Sequence, residues 1–310
     1  MRNSMRQVKP AMTNDYKDID FNQLKKGGFI RQQGPDLFIM RLRSIGGHLT
    51  SRDLENIARL ARKYGRGEVH LTTRQGVEIP GVRLADYQAL IAEIQTLQLL
   101  PGACGPRIRS IVGCPGKEVC PNGVVDTREM ARQVDQAFFG RDVPVKFKIA
   151  IAGCHNACTK PRENDIGLQG VVYPQLAADR CSLCGLCQSI CPGGAIKIIA
   201  DRVTIDRQKC CGDGACVASC PTGAWTAGAR GFVLYAGGKM GRRPRLGDRL
   251  FDFIPEDEVI PRINSILQVF IKYRQGNERL ADTIERLGSG GFRELIPPLS
   301  REEVAAGGRD

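Results

Sequence analysis

Four cysteines stand in two close pairs, Cys114-x5-Cys120 and Cys154-x3-Cys158, the second inside Gly153-Cys154-His155-Asn156-Ala157-Cys158. Four thiolates suffice to hold one four-iron cluster, and a bare Cys quartet equally suits a structural zinc ion. The flanks favour iron. Gly113-Cys114-Pro115-Gly116 reads as a turn that bares backbone N–H groups toward sulfur, and the second pair follows a β-rich run from Val145 to Ala152.

A second concentration of cysteine lies between residues 181 and 220. Cys181-x2-Cys184-x2-Cys187-x3-Cys191-Pro192 has every spacing of the bacterial four-iron run. About twenty residues on comes Cys210-Cys211-Gly212-Asp213-Gly214-Ala215-Cys216-x3-Cys220-Pro221. In paired runs of this kind the fourth cysteine of each ligates the other cluster. Cys181, Cys184, Cys187 and Cys220 would then hold one cluster, and Cys210, Cys216 and Cys191 most of the other. Asp213 stands where its remaining cysteine is expected. Either Asp213 ligates iron through oxygen, or Cys211 is recruited by a shift of the loop, or the site holds three irons.

The elements that must position these groups follow from periodicity. Leu37 to Arg43 alternates like a strand, with Phe38, Met40 and Leu42 on one face. Thr50 or Ser51 can cap a helix with a stripe of Leu54, Ile57, Ala58 and Ala61, closed by Tyr64-Gly65. A strand is expected over Glu68 to Thr73, a turn at Arg74-Gln75-Gly76, and a helix over Asp86 to Leu99. Thr127 is expected to cap a helix running to about Phe139. A strand over Val145 to Ala150 would put Lys146 and Lys148 on one face. Gly231 to Tyr235 reads as a short strand, Ala236 to Gly247 as a loop rich in Gly and Arg, and Glu256 to Tyr273 and Asn277 to Leu287 as helices. Residues 1–26 show no clear periodicity and read as an arm.

Composition narrows the class. The 310 residues are 42% apolar, and no apolar run is long enough to span a bilayer. Met1 to Asp20 has no apolar core of a secretory signal, so a cytoplasmic location is expected. There, thirteen cysteines argue for metal rather than disulfides. The net charge of +12 raises nucleic acid as a partner, but aromatics are only 6% and no nucleic-acid motif is visible. Gly237-Gly238 lacks the spacing of a dinucleotide fingerprint.

Arg41-Leu42-Arg43-Ser44-Ile45-Gly46-Gly47, then Leu71-Thr72-Thr73-Arg74-Gln75-Gly76, then the quartet from Cys114 to Cys158 occur in the order that resembles the sirohaem sulfite and nitrite reductases. The resemblance covers nearly the whole chain after residue 27. It implies an α+β fold: a ferredoxin-like half-barrel (27–100), a core binding sirohaem and a four-iron cluster (101–174 and 229–310), and an inserted ferredoxin module with two iron–sulfur clusters (175–228). It implies that Cys158 bridges the first cluster to the sirohaem iron. It implies that Arg43, Arg109, Lys146 and Lys148 ring the substrate, and that Arg74, Arg107, Asn156, Lys160, Lys239 and Arg242 meet the sirohaem carboxylates. The positive charge of the chain would then answer its own anionic cofactor and substrate.

The expected activity is six-electron reduction of sulfite to sulfide, with nitrite to ammonia as the neighbouring alternative. Electrons would come from a flavoprotein or ferredoxin partner, and a single copy of the reductase repeat implies a homodimer or hetero-oligomer. A non-catalytic electron-transfer subunit and a plain polyferredoxin are the readings from other classes. The Arg/Lys quartet speaks against the first of these and the Cys114–Cys158 quartet against the second.

Overall fold

The computed structural model describes residues 20–34 and 36–300. It divides into two units, one of residues 1–44 and 48–105, the other of 45–47 and 106–310. Residues 1–19 of the expected arm lie outside the described residues. Residues 20–26 are not an arm: Asp20 caps helix α1 (Phe21–Lys26) by accepting from the N–H groups of Asn22 and Gln23.

The first unit continues with β1 (Phe29–Arg31), β2 (Leu37–Leu42), α2 (Ser51–Tyr64), β3 (His70–Leu71), β4 (Val77–Arg83) and α3 (Tyr87–Thr96). The strands form one antiparallel sheet in the order β1-β2-β4-β3. Phe38, Met40 and Leu42 do face the core, with Ile57, Leu60, Leu90 and Ile94 from the helices. Thr50 is the cap of α2, in a reciprocal pair with Asp53. The apolar stripe of α2 differs from expectation: Leu54 is 51% exposed and Leu60 takes its place in the core.

Two strand expectations fail for identifiable reasons. Only His70–Leu71 of the run Glu68 to Thr73 pairs, and the longer strand is β4 after the Arg74 turn. Pro80 hides β4, because proline gives no ladder N–H and normally argues against a central strand. Here it falls where the β2–β4 register slips, between Phe38 and Ile39, a bulge that accommodates it.

The second unit holds β5 (Val112–Gly113), α4 (Thr127–Phe138), β6 (Ile149–Ala152), β7 (Ile166–Leu176), α5 (Leu186–Ile190), β8 (Ile196–Ile199), β9 (Arg202–Ile205), α6 (Ala215–Ala218), β10 (Trp225–Ala236), β11 (Asp248–Pro255), α7 (Val259–Tyr273), α8 (Leu280–Leu287) and α9 (Ser289–Glu294). Its large sheet runs β11-β10-β7-β6-β5. Strands β5, β6 and β7 are parallel, while β7, β10 and β11 are antiparallel. Helices α4, α7 and α8 contribute Met130, Val134, Phe138, Ile263, Phe270 and Ile284 to a core shared with Phe147, Leu168, Phe232 and Ile254.

Three further expectations are corrected. Asp126, not Thr127, caps α4, by accepting from Glu129 N–H. The strand expected over Val145 to Ala150 begins only at Ile149. The short strand expected over Gly231 to Tyr235 is the twelve-residue β10, paired with β7 from Trp225↔Leu176 to Ala236↔Ile166. Residues 177–224 therefore leave and re-enter the sheet at adjacent points, and Ala177 N–H donates to Ala224 O across the neck at 2.9 Å. Among the described residues no helix is long and apolar enough to cross a membrane.

Gly237-Gly238, unexplained by any nucleotide motif, has a packing reason. A Cβ on Gly238 would stand 2.2 Å from Arg162 O and 2.5 Å from Asn164 O, both backbone. We expect Gly238→Ala to destabilise by about 3 kcal/mol, the upper range for overpacking, and Gly290→Ala, where nothing lies within 4 Å, to be neutral or stabilising. Chemical denaturation of the two variants beside the parent chain checks this; equal midpoints would contradict it.

Candidate functional site

The first thiol quartet is assembled by one parallel ladder. Val112 pairs with Ala150 and Gly113 with Ile151, so β5 and β6 end on the same sheet edge, where ligand groups gather in parallel sheets. Cys114 follows Gly113 directly and Cys154 follows Ala152 by two residues. The turn after Cys114 folds back on the second pair: Cys120 N–H donates to Gly116 O at 2.8 Å and Val124 N–H to Gly153 O at 2.9 Å. Thr127, freed from capping, donates its hydroxyl to Cys114 O at 2.6 Å.

Gly153 N–H donates to Cys114 Sγ at 3.0 Å, so this N–H comes from the second cysteine pair and not, as expected, from the turn Gly113 to Gly116. A Cβ on Gly153 would lie 3.2 Å from that sulfur and 3.2 Å from Thr127 Cγ2. Cys154 is buried and Cys158 exposed. Burial pushes the Cys154 thiol up, and the charges of Cys114, Cys120 and Cys158 push it further, against an N–H bond from Asn156. Those three are its electrostatic neighbours. Four cysteine thiols in two pairs are the donor set that a four-iron cluster takes. Asn156 and Lys160 are exposed, and Ala157 and Lys160 take left-handed φ values of 52° and 51°, which L-residues adopt only when the surroundings impose them.

Beside this quartet, two extended segments carry the expected cations. Ile108 and Phe147 form an isolated parallel bridge, with Phe147 N–H donating to Arg107 O at 3.0 Å and Arg109 N–H to Phe147 O at 2.9 Å. Both bridge residues are fully buried. Arg107 and Arg109 flank one bridge residue and Lys146 and Lys148 the other, so the segments that carry the four cations lie side by side although the expected strand does not form. The four are not equivalent. Arg107 is buried and its Nε meets Asp142 at 2.8 Å. Arg109 and Lys148 are half-buried, and Lys146 is exposed.

A charge network that the sequence reading missed anchors Lys148. Its backbone N–H donates to Asp165 Oδ2 at 2.9 Å. Asp165 is fully buried, and the same oxygen accepts from Arg279 at 2.7 Å. Burial pushes the Asp165 carboxyl up, opposed by Arg279 and by Lys148. Arg279 N–H donates to Asp282, and Asp282 in turn pairs with Lys239. Lys239 and Arg245 exchange two backbone hydrogen bonds, and Arg242 is exposed between them. Of the cations expected to meet cofactor carboxylates, Arg107 and Lys239 thus already have carboxylate partners in the chain. The one signal for Asp165 was an acid at the mouth of an apolar strand.

The remaining two expected cations belong to the first unit. Arg43 donates to Pro101 O at 3.2 Å. Its neighbour Arg41 is held by Glu78 at 2.5 Å, and Glu78 also meets His70 at 3.0 Å, which separates the roles of two arginines that sequence could not tell apart. Arg74 sits in a turn tied by Thr72 Oγ1, which accepts from the N–H groups of Arg74 and Gly76.

Cysteines of the segment 177–224 line two separate hollows. One is lined by Cys181, Cys184, Cys187 and Cys220, with Trp225 and Ile198. The other is lined by Cys191, Cys210, Cys211, Asp213 and Cys216. The Cys220 thiol is brought down to about 7, first by the backbone N–H of Trp225 and then by Thr222. Burial, followed by the charges of Asp213 and Cys210, pushes Cys216 up to about 12.

Because Asp165 joins β6, β7 and α8 through one buried carboxylate, Asp165→Ala is expected to cost about 3–5 kcal/mol, the range for breaking one half of a buried pair. Thermal unfolding measures it; a loss below about 1 kcal/mol, the value of an exposed pair, would show the anchor to be dispensable. Gly153→Ala is expected to lower the iron bound at Cys114 and Cys154 while leaving secondary structure intact, checked by iron analysis beside circular dichroism.

Residues 104–303 match the nitrite and sulphite reductase 4Fe-4S domain, and residues 30–97 the nitrite/sulfite reductase ferredoxin-like half domain. A coenzyme F420-dependent sulfite reductase of Methanocaldococcus jannaschii is 33% identical over 94% of this chain, which spans only 47% of that relative's length. A subunit of the anaerobic sulfite reductase of Salmonella typhimurium is 28% identical, covering 83% of this chain and 82% of that one. The fold is similar to that of dissimilatory sulfite reductase I, with a TM-score of 0.69 at 20% identity over 87% of this chain and 71% of the other. The strand-end thiol quartet, lying within the matched domain, is where this chain carries the character of its family: it belongs to the nitrite and sulphite reductases.

Proposed function

We propose that the chain is the sirohaem-bearing part of a sulfite reductase, carrying out the six-electron reduction of sulfite to sulfide. The observation that supports this reading is the Ile108–Phe147 bridge, which sets the segment of Arg109 beside that of Lys146 and Lys148 where both lead into the two cysteine pairs. Sirohaem bound beside the Cys114/Cys120/Cys154/Cys158 cluster would supply an open iron position for the sulfur of the substrate and a reservoir of electrons. The exposed Cys158 is the thiol proposed to link the two. Arg109 and Lys148 hold the sulfite oxygens, since cations aimed at developing negative charge in a partly buried site act without reorganising. Lys146, the most exposed of the three, is placed to pass protons from water to a departing oxygen. Lys160 and Arg242, both exposed, are the better candidates for the sirohaem carboxylates, and Asn156 and Arg74 are proposed for the same role.

Residues 177–224 are proposed as a ferredoxin module with two clusters, one on Cys181, Cys184, Cys187 and Cys220 and the other in the hollow of Cys191, Cys210 and Cys216. Their lining of two separate hollows supports this. Electrons would enter there from a flavoprotein or ferredoxin partner and pass to the first quartet. The similarity to a protein named as a subunit, and to another about twice as long, supports an assembly with further polypeptide.

Anaerobic turnover with reduced methyl viologen, on sulfite and on nitrite, tests the reading. Sulfide formed from sulfite at the higher kcat/KM is expected, and turnover of nitrite alone would move the assignment within the family. Lys148→Met should lower kcat by about 10²–10³, the cost of one oxyanion-stabilising donor, with the haem spectrum unchanged. A variant with parental turnover would remove Lys148 from the site.

A further inference from the structure

We propose that Asp213, not Cys211, completes the cluster held by Cys191, Cys210 and Cys216, so that this cluster has one carboxylate-bound, exchangeable iron. The inference rests on the reading of residues 177–224 as a two-cluster module and fixes the ligand that the sequence leaves open.

The two cysteine runs repeat the same backbone. Gly185 and Gly214 take φ values of 77° and 76°, and each is the N-cap of the following helix. Gly185 O accepts from Gln188 and Ser189 N–H, and Gly214 O from Val217 and Ala218 N–H, the same offsets in both copies. Two residues before each glycine stands another left-handed position, Leu183 at 56° and Gly212 at 69°. After the fourth cysteine of each run, Gly194 N–H donates to Cys191 O and Gly223 N–H to Cys220 O. The copies align without a gap. Cys184 and Asp213 occupy the same place between two left-handed residues, and Cys211 falls opposite Ser182.

The loop is also pinned in this register. Gly212 O accepts from Val172 N–H of β7 at 2.9 Å, and a Cβ on Gly212 would stand 2.9 Å from Val171 Cβ. Moving Cys211 into the place of Asp213 is a shift of two residues. It would bring Cys210 to the position of Gly212, where the backbone is left-handed and a side chain has no room. It would also take Cys210 out of its own ligand place. Asp213 needs no shift, and although Cys211 lines the same hollow, it is exposed whereas Asp213 is half-buried beside the three cysteines.

A carboxylate is a harder and weaker partner for cluster iron than a thiolate. Oxidation of the four-iron form by ferricyanide removes one electron, which ends on ferricyanide, and releases the iron at the carboxylate corner as a ferrous ion, leaving three irons. The test uses the full chain with its clusters, prepared anaerobically, as parent, Asp213→Cys and Cys211→Ser. Iron and sulfide are counted, and electron paramagnetic resonance is recorded before and after ferricyanide and after added ferrous ion with dithionite. The parent and Cys211→Ser are expected to develop a three-iron signal, which ferrous ion together with one electron from dithionite removes by restoring the fourth iron, and Asp213→Cys is expected to develop none. A signal undiminished in Asp213→Cys, or cluster iron lost in Cys211→Ser, would overturn the assignment while leaving the module standing. A parent chain with the iron of only one cluster would overturn the module itself, and with it this ligand.

Discussion

The parallel pairing of β5 with β6 is the constraint on which the cluster site depends. Two cysteine pairs far apart in sequence become one donor set only because Val112↔Ala150 and Gly113↔Ile151 bring both strands to the same edge. Short parallel strands are weak by themselves, so their ends are held by other means. Gly153 donates to a sulfur and accepts from Val124, and Thr127 ties the carbonyl of Cys114. Glycine at 153 leaves room for that sulfur. The neighbouring β6–β7 pairing continues the same direction, and the buried Asp165 carboxylate secures its entry by binding the N–H of Lys148 and the guanidinium of Arg279.

Such a carboxylate is costly to bury, and its two charge-assisted bonds on one oxygen offset that cost only in part. Its position nevertheless matters to the face beside the cluster. It fixes the backbone at Lys148, and through Asp282 it extends to Lys239 and the loop after β10. The cations around the site thus fall into two kinds. Arg107, Lys239 and Arg279 are engaged by carboxylates of the chain, while Lys146, Lys160 and Arg242 are exposed. A uniform set of basic residues becomes a division between groups tied to carboxylates of the chain and groups open to solvent.

Much of this was legible in the residues. The order of the motifs announced the family, and alternation announced the core face of β2. What was not legible depended on non-local pairing or on backbone geometry. Strand β4 was hidden by Pro80, whose bulge is visible only against β2. Strand β11 has only sparse core positions among charged residues, and went unnoticed. The strand expected through Lys146 and Lys148 begins only after them, at Ile149, because before it the chain touches its neighbour through a single bridge at Phe147. The left-handed positions at Leu183 and Ala157 carry no signature in residue type.

The neck at Ala177 and Ala224 has a meaning of its own. A long segment leaves the sheet and returns one hydrogen bond away from where it left, with Leu176 and Trp225 already paired beneath it. Seen from the sheet, β7 and β10 are a hairpin, and everything beyond the neck is its loop. Loop closure costs little more for a long loop than for a short one. The body therefore tolerates wide variation in what is mounted there, and the segment beyond the neck can be exchanged or lost in the course of descent without redesign of the sheet that holds the first quartet.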